Sequence, residues 1–159
     1  MRRKDREILQ KAQIAELIGR CQTVRMGMSG DDFPYIVPLS FGFEMRGERL
    51  IVYFHCAAEG KKLDLLARNN KVCLEWDILH GYAEVGNALM AEYESAIAFG
   101  RAQRCEGAER VNGLRLLLEH TGFSDHSPER CADLPAVEVY RVECDRVTGK
   151  RCTPFKGKG

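Results

Sequence analysis

The residues of this chain best suited to chemistry follow one apolar run. Residues 50–54 are apolar in the manner of a β-strand, and the run stops at His55. Small residues come next, and then Gly60, Lys61 and Lys62 open a segment with helical spacing. The first N–H groups of a helix have no partner within the helix, so they attract an anion, and a lysine there adds a full positive charge. A phosphate would satisfy both, so the pattern indicates a phosphate site where this strand ends and this helix begins.

Two simpler interpretations of the same residues stay open. A bare Gly-Lys-Lys sequence is also typical of a surface loop with two solvated lysines. His55 could merely end its strand and hydrogen-bond a backbone carbonyl. Because histidine titrates near neutral pH, His55 is also the residue best placed to donate a proton during a reaction.

Composition excludes several classes of function. The chain has 159 residues, enough for one domain with a single sizeable core, and 45% of them are hydrophobic and 30% charged. A net charge of +1 does not favour nucleic acid or an anionic membrane as a partner. No apolar run approaches the ~20 residues that cross a bilayer, and no signal-peptide core follows the charged start. We therefore expect a cytoplasmic protein.

The cysteines do not predict a disulfide framework or a metal site. There are seven of them, an odd number, and none has the C-x2-C spacing typical of zinc sites. Most are expected to be buried and reduced, whereas Cys152, close to the charged end, is expected to be exposed. His120, His126 and Cys131 fall after a helix in a polar stretch, and their spacing matches no zinc pattern.

The pattern of apolar residues predicts a mainly β protein with added helices. In chain order the predicted elements are a helix (5–20), a strand (22–29), an extended run (33–45), a strand (49–55), a helix (60–70), a strand (71–78), a connecting loop (79–91), a strand (93–103), a helix (107–121), a polar loop (122–134), a strand (135–147) and a turn (149–151). Strands joined by tight turns favour a small antiparallel barrel. Pro38 cannot donate to a ladder, so it marks either a bulge or a place where the ladder is interrupted and a ligand can approach.

Five segments in this order resemble the FMN-binding split-barrel family related to pyridoxamine 5'-phosphate oxidase. Within that family the chain is most similar to the nitroimidazole-resistance (Nim-type) branch. The resemblance runs from Arg2 to Lys150, and the matching segments are 21–28 (CQTVRMGM), 34–42 (PYIVPLSFG), 53–57 (YFHCA), 60–62 (GKK) and 148–150 (TGK). Each segment alone would be weak, but their joint occurrence is specific.

The resemblance implies a six-stranded antiparallel Greek-key split barrel that forms a homodimer and holds one FMN in each of two grooves at the dimer interface. It implies one domain, 1–150, followed by a disordered tail, 151–159. Carried over by position, the ring-lining residues would be Val37, Pro38, Leu39 and Ser40. The residues flanking the ring or the ribityl chain would be His55, Cys56 and Ala57. Lys61 and Lys62 would meet the phosphate, with Arg25 adding charge there. Tyr93 and Ser95 would complete the pocket, and Lys150 would reach a flavin across the dimer.

The function implied by the resemblance is that of an FMN-dependent oxidoreductase. It would pass electrons from a reduced donor through FMN to a small acceptor, with nitroaromatics as the class that the Nim branch suggests and His55 as the catalytic residue. An alternative is a haem- or flavin-binding module without turnover of its own, with His55, His120 or His126 as an iron ligand. Pyridoxamine phosphate oxidation is weaker, because the sequence shows no basic substrate-phosphate cluster near its C-terminus. No Rossmann glycine motif is present, so NAD(P)H would only be a passing substrate.

Overall fold

Antiparallel strands make up most of the computed structural model, which describes residues 3–133 and 136–153. A short 3-10 helix at Lys4–Arg6 precedes the first strand. The strands are β1 (Glu7–Ile8), β2 (Val24–Met28), β3 (Tyr35–Leu39), β4 (Gly42–Arg46), β5 (Arg49–Ala57), β6 (Lys71–Val85), β7 (Ala88–Arg104) and β8 (Val137–Cys152). The helices are α1 (Lys11–Arg20), α2 (Lys61–Arg68), α3 (Gly107–Thr121) and α4 (Pro128–Ala132).

The order of the strands shows how the sheet rolls up. Its neighbours run β3-β2-β6-β7-β8-β5-β4, and β1 adds to β8. β3 and β4 stand at opposite ends of this path, yet only Ser40 and Phe41 separate them in the chain. The two ends must therefore lie side by side without a ladder between them, which is a split barrel, and the predicted fold is confirmed.

The sheet has eight strands where the resemblance implied six. One of the additional strands is β1, which is only two residues long. The other arises because the extended run 33–45 divides into β3, which pairs with β2, and β4, which pairs with β5. The chain changes partner at Ser40 and Phe41, and that change is the split in the barrel.

Helix α1 closes one side of the barrel and is shorter than the predicted helix 5–20. It begins at Lys11, because Glu7 and Ile8 pair with β8 instead of continuing the helix. A Cβ on Gly149, the partner of Ile8, would lie 2.8 Å from the Ile14 side chain, so only glycine allows α1 and β1 to pack this closely. The barrel interior holds the main hydrophobic core, in which Trp76 and Met26 have no exposed surface.

The other three helices lie outside the barrel interior. Helix α3 occupies the range predicted for it, 107–121, and ends at Gly122 in the left-handed conformation. It packs on the outer side of β4 and β5, where Leu114 and Tyr53 belong to a second hydrophobic cluster. Helix α4 lies within the stretch predicted to be a polar loop. None of the helices in the described ranges is long and apolar enough to cross a membrane.

The predicted loop 79–91 is wrong, because β6 and β7 continue through it as one hairpin. Their ladder runs to Val85 and Ala88, with a turn at residues 86–87 and a bulge next to Gly81. The Gly and Asn positions that suggested a loop thus serve the turn and the bulge. In the described part of the chain no third strand pairs with residues 81–92, so this end of the hairpin projects as a two-stranded ribbon.

The last strand also extends beyond its predicted end. β8 continues through the predicted turn 149–151 to Cys152, which is buried and not exposed as predicted. The structured region thus reaches two residues past the expected domain boundary at 150. Residues 154–159, most of the predicted tail, lie outside the described residues.

Candidate functional site

The start of α2 presents backbone donors without a side-chain cap. Gly60 stands at the N-cap with φ of 134°, a conformation that favours glycine, and no side chain there bonds to the helix. Lys61 and Lys62 are the first two helical residues, so their side chains leave the helix at its positive end. The predicted joining of a strand end to a helix start is confirmed here, because β5 ends at Ala57, three residues before Gly60.

The two lysines are stacked on aromatic rings and not paired with acids. The Lys61 Nζ lies 4.8 Å from the ring centre of Tyr35, and the Lys62 Nζ lies 5.6 Å from that of Phe54. Within the described residues no carboxylate lies within 4 Å of either ammonium group. Both positive charges are therefore positioned by rings and left without a counter-ion, as an anion site requires.

His55 lies beside this pair of lysines. It is on β5 opposite Val139, with an exposed side chain on the face that looks away from the barrel interior. Surrounding protein atoms desolvate its ring and lower its pKa, and the charge of Lys62 lowers the pKa further. The imidazole is consequently neutral near neutral pH, with one nitrogen able to donate and the other able to accept.

The predicted ring-lining segment is an edge strand whose residues alternate. Val37 and Leu39 pack against the barrel core, whereas Pro38 and Ser40 are exposed on the outer face. Pro38 is in β3, which pairs only with β2 among the described strands, so the missing N–H disrupts no ladder. A flat ring could therefore lie against Pro38 and the backbone of this segment. Cys56 on β5 is buried, so this residue can offer only its backbone to a ligand.

Arg25 faces outward next to that segment and not next to the lysines. It is the cross-strand neighbour of Pro38 on β2. Its guanidinium is held by Glu75 at 3.1 Å and by Asp77 at 2.5 Å. Two carboxylates compensate its charge, so its predicted role at the phosphate has no support in this arrangement; the geometry places it beside Pro38.

The remaining predicted residues lie farther along the outer face. One row across the sheet runs Pro38, Arg25, Glu75, Ile97 and Thr148. Ser95 and Lys150 are paired in the adjacent row, and the Lys150 Nζ lies 5.4 Å from the ring centre of Tyr93. Pro38 and Thr148 are four interstrand spacings apart, about 19 Å along the sheet. One chain thus forms two separate groups of predicted residues, one at α2 and β3 and one on β7 and β8.

Comparison with known proteins identifies the family. The family model described as pyridoxamine 5'-phosphate oxidase matches residues 10–151, nearly the whole chain. The chain belongs to the pyridoxamine 5'-phosphate oxidase family. No curated protein matches its sequence.

Solved structures agree with this assignment to the pyridoxamine 5'-phosphate oxidase family. A candidate 5-nitroimidazole antibiotic resistance protein from Bacteroides thetaiotaomicron is 27% identical, with a TM-score of 0.75 over 91% of this chain and 85% of that one. A flavocytochrome from Azotobacter vinelandii has a TM-score of 0.75 at 19% identity, covering 97% of this chain and 73% of that one. An FAD- and haem-binding protein from Mycobacterium smegmatis has a TM-score of 0.69 at 16% identity, covering 97% and 77%. The last two likenesses show the fold alone.

The structure also identifies residues that the sequence did not. Tyr35 positions Lys61, and Arg146 and Thr148 share the outer face with Ser95 and Lys150. The alternation of β8 is the signal for Arg146 and Thr148, but the sequence predicted that this strand ends at residue 147.

His120 is half-buried on α3 and does not lie in a polar loop. It lies within α3, with its ring centre 4.3 Å from that of Phe41 and a ring nitrogen 2.8 Å from the Cys21 carbonyl oxygen. These contacts fix the ring as a structural element between α3 and the barrel. It is therefore poorly suited to the role of iron ligand that was considered for it.

Proposed function

We propose that this protein binds FMN, with the phosphate at the start of α2 and the ring along β3. The observation that carries the proposal is the pair Lys61 and Lys62, two uncompensated charges stacked on rings at an uncapped helix start. A flavin phosphate is close to dianionic at neutral pH, so two ammonium groups and free N–H donors match it.

The spacing along β3 suits a single FMN. Lys61 contacts Tyr35, and Pro38 lies three residues farther along the same strand, about 10 Å away. A ribityl chain separates the phosphate of FMN from its ring by a comparable length. Tyr35 packs on the core side of β3 and Pro38 is exposed on the outer side, so the cofactor would pass the free edge of β3 between its two ends. His55, Cys56 and Ala57 would then flank the part between them.

A second copy of the chain is proposed as the partner that completes the site. Tyr93, Ser95 and Lys150 lie too far along the sheet to contact a flavin ring placed on Pro38 of the same chain. A homodimer that packs these outer faces together would bring them to the ring from the other side. Apolar side chains that this would cover include Ile36, Ile97 and Phe99, with exposures of 63%, 39% and 40%.

We further propose that the protein is an oxidoreductase that reduces a small acceptor, with nitroaromatics as one class. The bound flavin would supply the electron transfer, accepting electrons from a reduced donor. His55 would hold a proton next to the flavin and pass it to the acceptor, since an imidazole can donate a proton from one ring nitrogen while the other accepts one. The 27% identity to a candidate nitroimidazole-resistance protein supports this class of acceptor. The cytoplasmic location stays a prediction.

A haem-binding module without turnover is the second candidate. It is favoured by the flavocytochrome and the FAD- and haem-binding protein, which share this fold. His55 would be the iron ligand, since a neutral imidazole is the form that binds iron. His126, the other candidate, is in edge-on contact with Phe123 in an exposed stretch far from the lysines in sequence.

The absorbance spectrum of the purified protein, taken before and after FMN is added, tests the proposal. Flavin bands that shift and sharpen as FMN saturates the protein are expected. A Soret band would support the haem module instead, and no shift with FMN would overturn the flavin assignment. Reduction of a nitroaromatic by the FMN-loaded protein with NADPH or NADH then tests turnover, and oxidation of pyridoxamine 5'-phosphate with oxygen as the electron acceptor is measured as the comparison reaction.

A further inference from the structure

A cavity on the outer face of the sheet lies apart from the lysines of α2. It has a volume of about 350 Å³ and is formed where β7 and β8 pair. Its lining residues are Ser95, Ile97, Arg146, Thr148 and Lys150. Only Ser95 and Lys150 were expected at a binding site, and both were expected to serve the cofactor.

The two cations of this cavity have no acidic partner in the described ranges, so a pair of basic residues does stand on the last strand, where the sequence showed no basic cluster. The Arg146 guanidinium carbon lies 4.6 Å from the ring centre of Phe99, and Lys150 stacks on Tyr93. The nearest acid in sequence, Asp145, is removed by a bulge: Phe99 pairs with Arg146 but Gly100 pairs with Cys144. Asp145 is left out of the ladder, and Arg101 binds it at 2.5 Å. Arg146 therefore keeps its full charge towards the cavity.

Between the two cations the cavity offers hydroxyls and an apolar wall. Arg146 and Lys150 point to the same face from positions about 13 Å apart along β8, and Thr148 lies midway. The Ser95 hydroxyl has no hydrogen-bond partner among the described residues, and Ile97 supplies apolar surface across the pair. This combination recognises a small flat body that carries an anionic group.

We propose that this cavity binds a small, flat organic anion, and that in the FMN-loaded dimer this anion is the acceptor. The second statement rests on the proposed function, because the homodimer is what brings β7 and β8 of one copy to the flavin of the other. The flavin phosphate does not need this cavity, since Lys61 and Lys62 on a separate element provide for it. The acceptor class is therefore an aromatic carboxylate or phosphate ester and not a neutral aromatic.

Calorimetric titration with three matched nitroaromatics tests the inference: 4-nitrobenzoate, 4-nitrophenyl phosphate and neutral 4-nitrobenzyl alcohol. Each is titrated into the protein with and without saturating FMN. At least one anion is expected to bind about tenfold more tightly than the alcohol, the gain typical of one charge-assisted contact. Whichever anion binds better identifies carboxylate or phosphate ester as the natural group.

Arg146→Gln is expected to remove most of that preference, with the affinity for the alcohol unchanged. Arg104→Gln is the matched control, because it deletes the same charge from β7 but from a residue that is paired with Glu138 and does not line the cavity. With the FMN-loaded protein, KM for the anion should rise about tenfold in Arg146→Gln while kcat stays within twofold.

Equal binding of the anions and the alcohol, or an equal loss in the two variants, would overturn the inference. Failure of the flavin assignment is distinguishable from this. If FMN does not bind but the anion preference and its loss in Arg146→Gln persist, the anion site stands and its role as acceptor site fails. If FMN binds and no preference exists, the flavin assignment stands and the anion site fails.

Discussion

Two charged regions of this molecule are built in opposite ways. At the start of α2, Lys61 and Lys62 rest on aromatic rings and meet no acid within the described ranges. Where the β6–β7 hairpin leaves the barrel, the carboxylate of Glu94, only 7% exposed, is bound by Arg20 at 2.7 Å, His80 at 2.9 Å and Arg151 at 2.6 Å. These three side chains come from α1, β6 and β8, so one acid joins three elements of the fold.

The difference separates charges that hold the fold from charges available to a ligand. Burial alone would raise the pKa of Glu94, but its hydrogen bonds from Arg20, Arg151 and His80 lower it to about 2. Tyr53 is a second group that holds the fold. Burial and its hydrogen bonds to Glu109 and Glu44 raise the pKa of its hydroxyl. A ligand would have to break such contacts, whereas at α2 it would only displace water.

Glu94→Gln tests the structural side of the comparison and should have the largest effect. Without the negative charge, two guanidinium groups and His80 face each other around a buried amide. We expect a loss of about 2 kcal/mol in the free energy of unfolding, below the range for fully buried pairs because Arg20 and Arg151 are 41% and 38% exposed. Urea unfolding measures this loss.

Glu48→Gln, which removes an acid paired with Lys11 at the surface, is the control and should change nothing measurable. An FMN affinity that fell with Glu94→Gln in the folded protein would contradict the separation.

The pH dependence of stability sharpens the same point. Because the folded pKa of Glu94 is about 2 and the ordinary value is 4.5, its stabilisation is fully present above pH 4.5 and is lost as the pH falls towards 2. The difference in unfolding free energy between the wild type and Glu94→Gln should shrink across this window. A difference that stayed constant from pH 5 to about 2.5 would show that Glu94 is not held ionised by its partners.

His55→Gln tests the reactive side of the comparison. The variant should keep its flavin spectrum and FMN affinity, because no charge at the phosphate is lost, while the rate of acceptor reduction falls about tenfold or more. In the wild type the rate should decline as the pH rises through the lowered pKa of His55, and the variant should lack this decline. If the variant reduces the acceptor at the wild-type rate, His55 is structural.

Lys62→Ala should produce the smallest effect, a rise in the pKa of His55. Desolvation is the larger cause of the lowered pKa of His55, so removal of the Lys62 charge should raise that pKa but leave it below its ordinary value. Titration of the His55 ring by NMR measures this shift, with Lys71→Ala as a control at the other end of the α2 region. An unchanged pKa would mean that Lys62 does not act on the site.

The strongly periodic and strongly local features were predictable from the sequence. The range of helix α3 agrees with the predicted range, because its apolar spacing is unbroken from Gly107 to the left-handed Gly122. The strand end and helix start that place Lys61 and Lys62 were predictable because residues adjacent in sequence form them. The hairpin at 79–91 was not predicted, because Gly and Asn residues at a bulge and a turn resemble those of a loop. In addition, residues of a ribbon without a third strand lack a clear alternation of apolar and polar side chains.

What depends on register or close packing was not predictable. Gly149 suggested a turn, but the structure uses it because Ile8 and Ile14 leave no space for a Cβ. Arg146 faces the cavity without Asp145 beside it in the ladder because of a bulge, and nothing in the local sequence marks that bulge. Arg25 could be recognised as exposed, but not as neutralised by Glu75 and Asp77 from another strand.

The comparison of FMN with riboflavin, which lacks the phosphate, tests the central claim most directly. Fluorescence titration should show that the wild type binds FMN at least tenfold more tightly than riboflavin. Lys61→Ala combined with Lys62→Ala should abolish that preference while riboflavin affinity is kept, and Lys4→Ala combined with Lys11→Ala should retain it. A preference for FMN that survives unchanged in the Lys61 and Lys62 double variant would contradict the account.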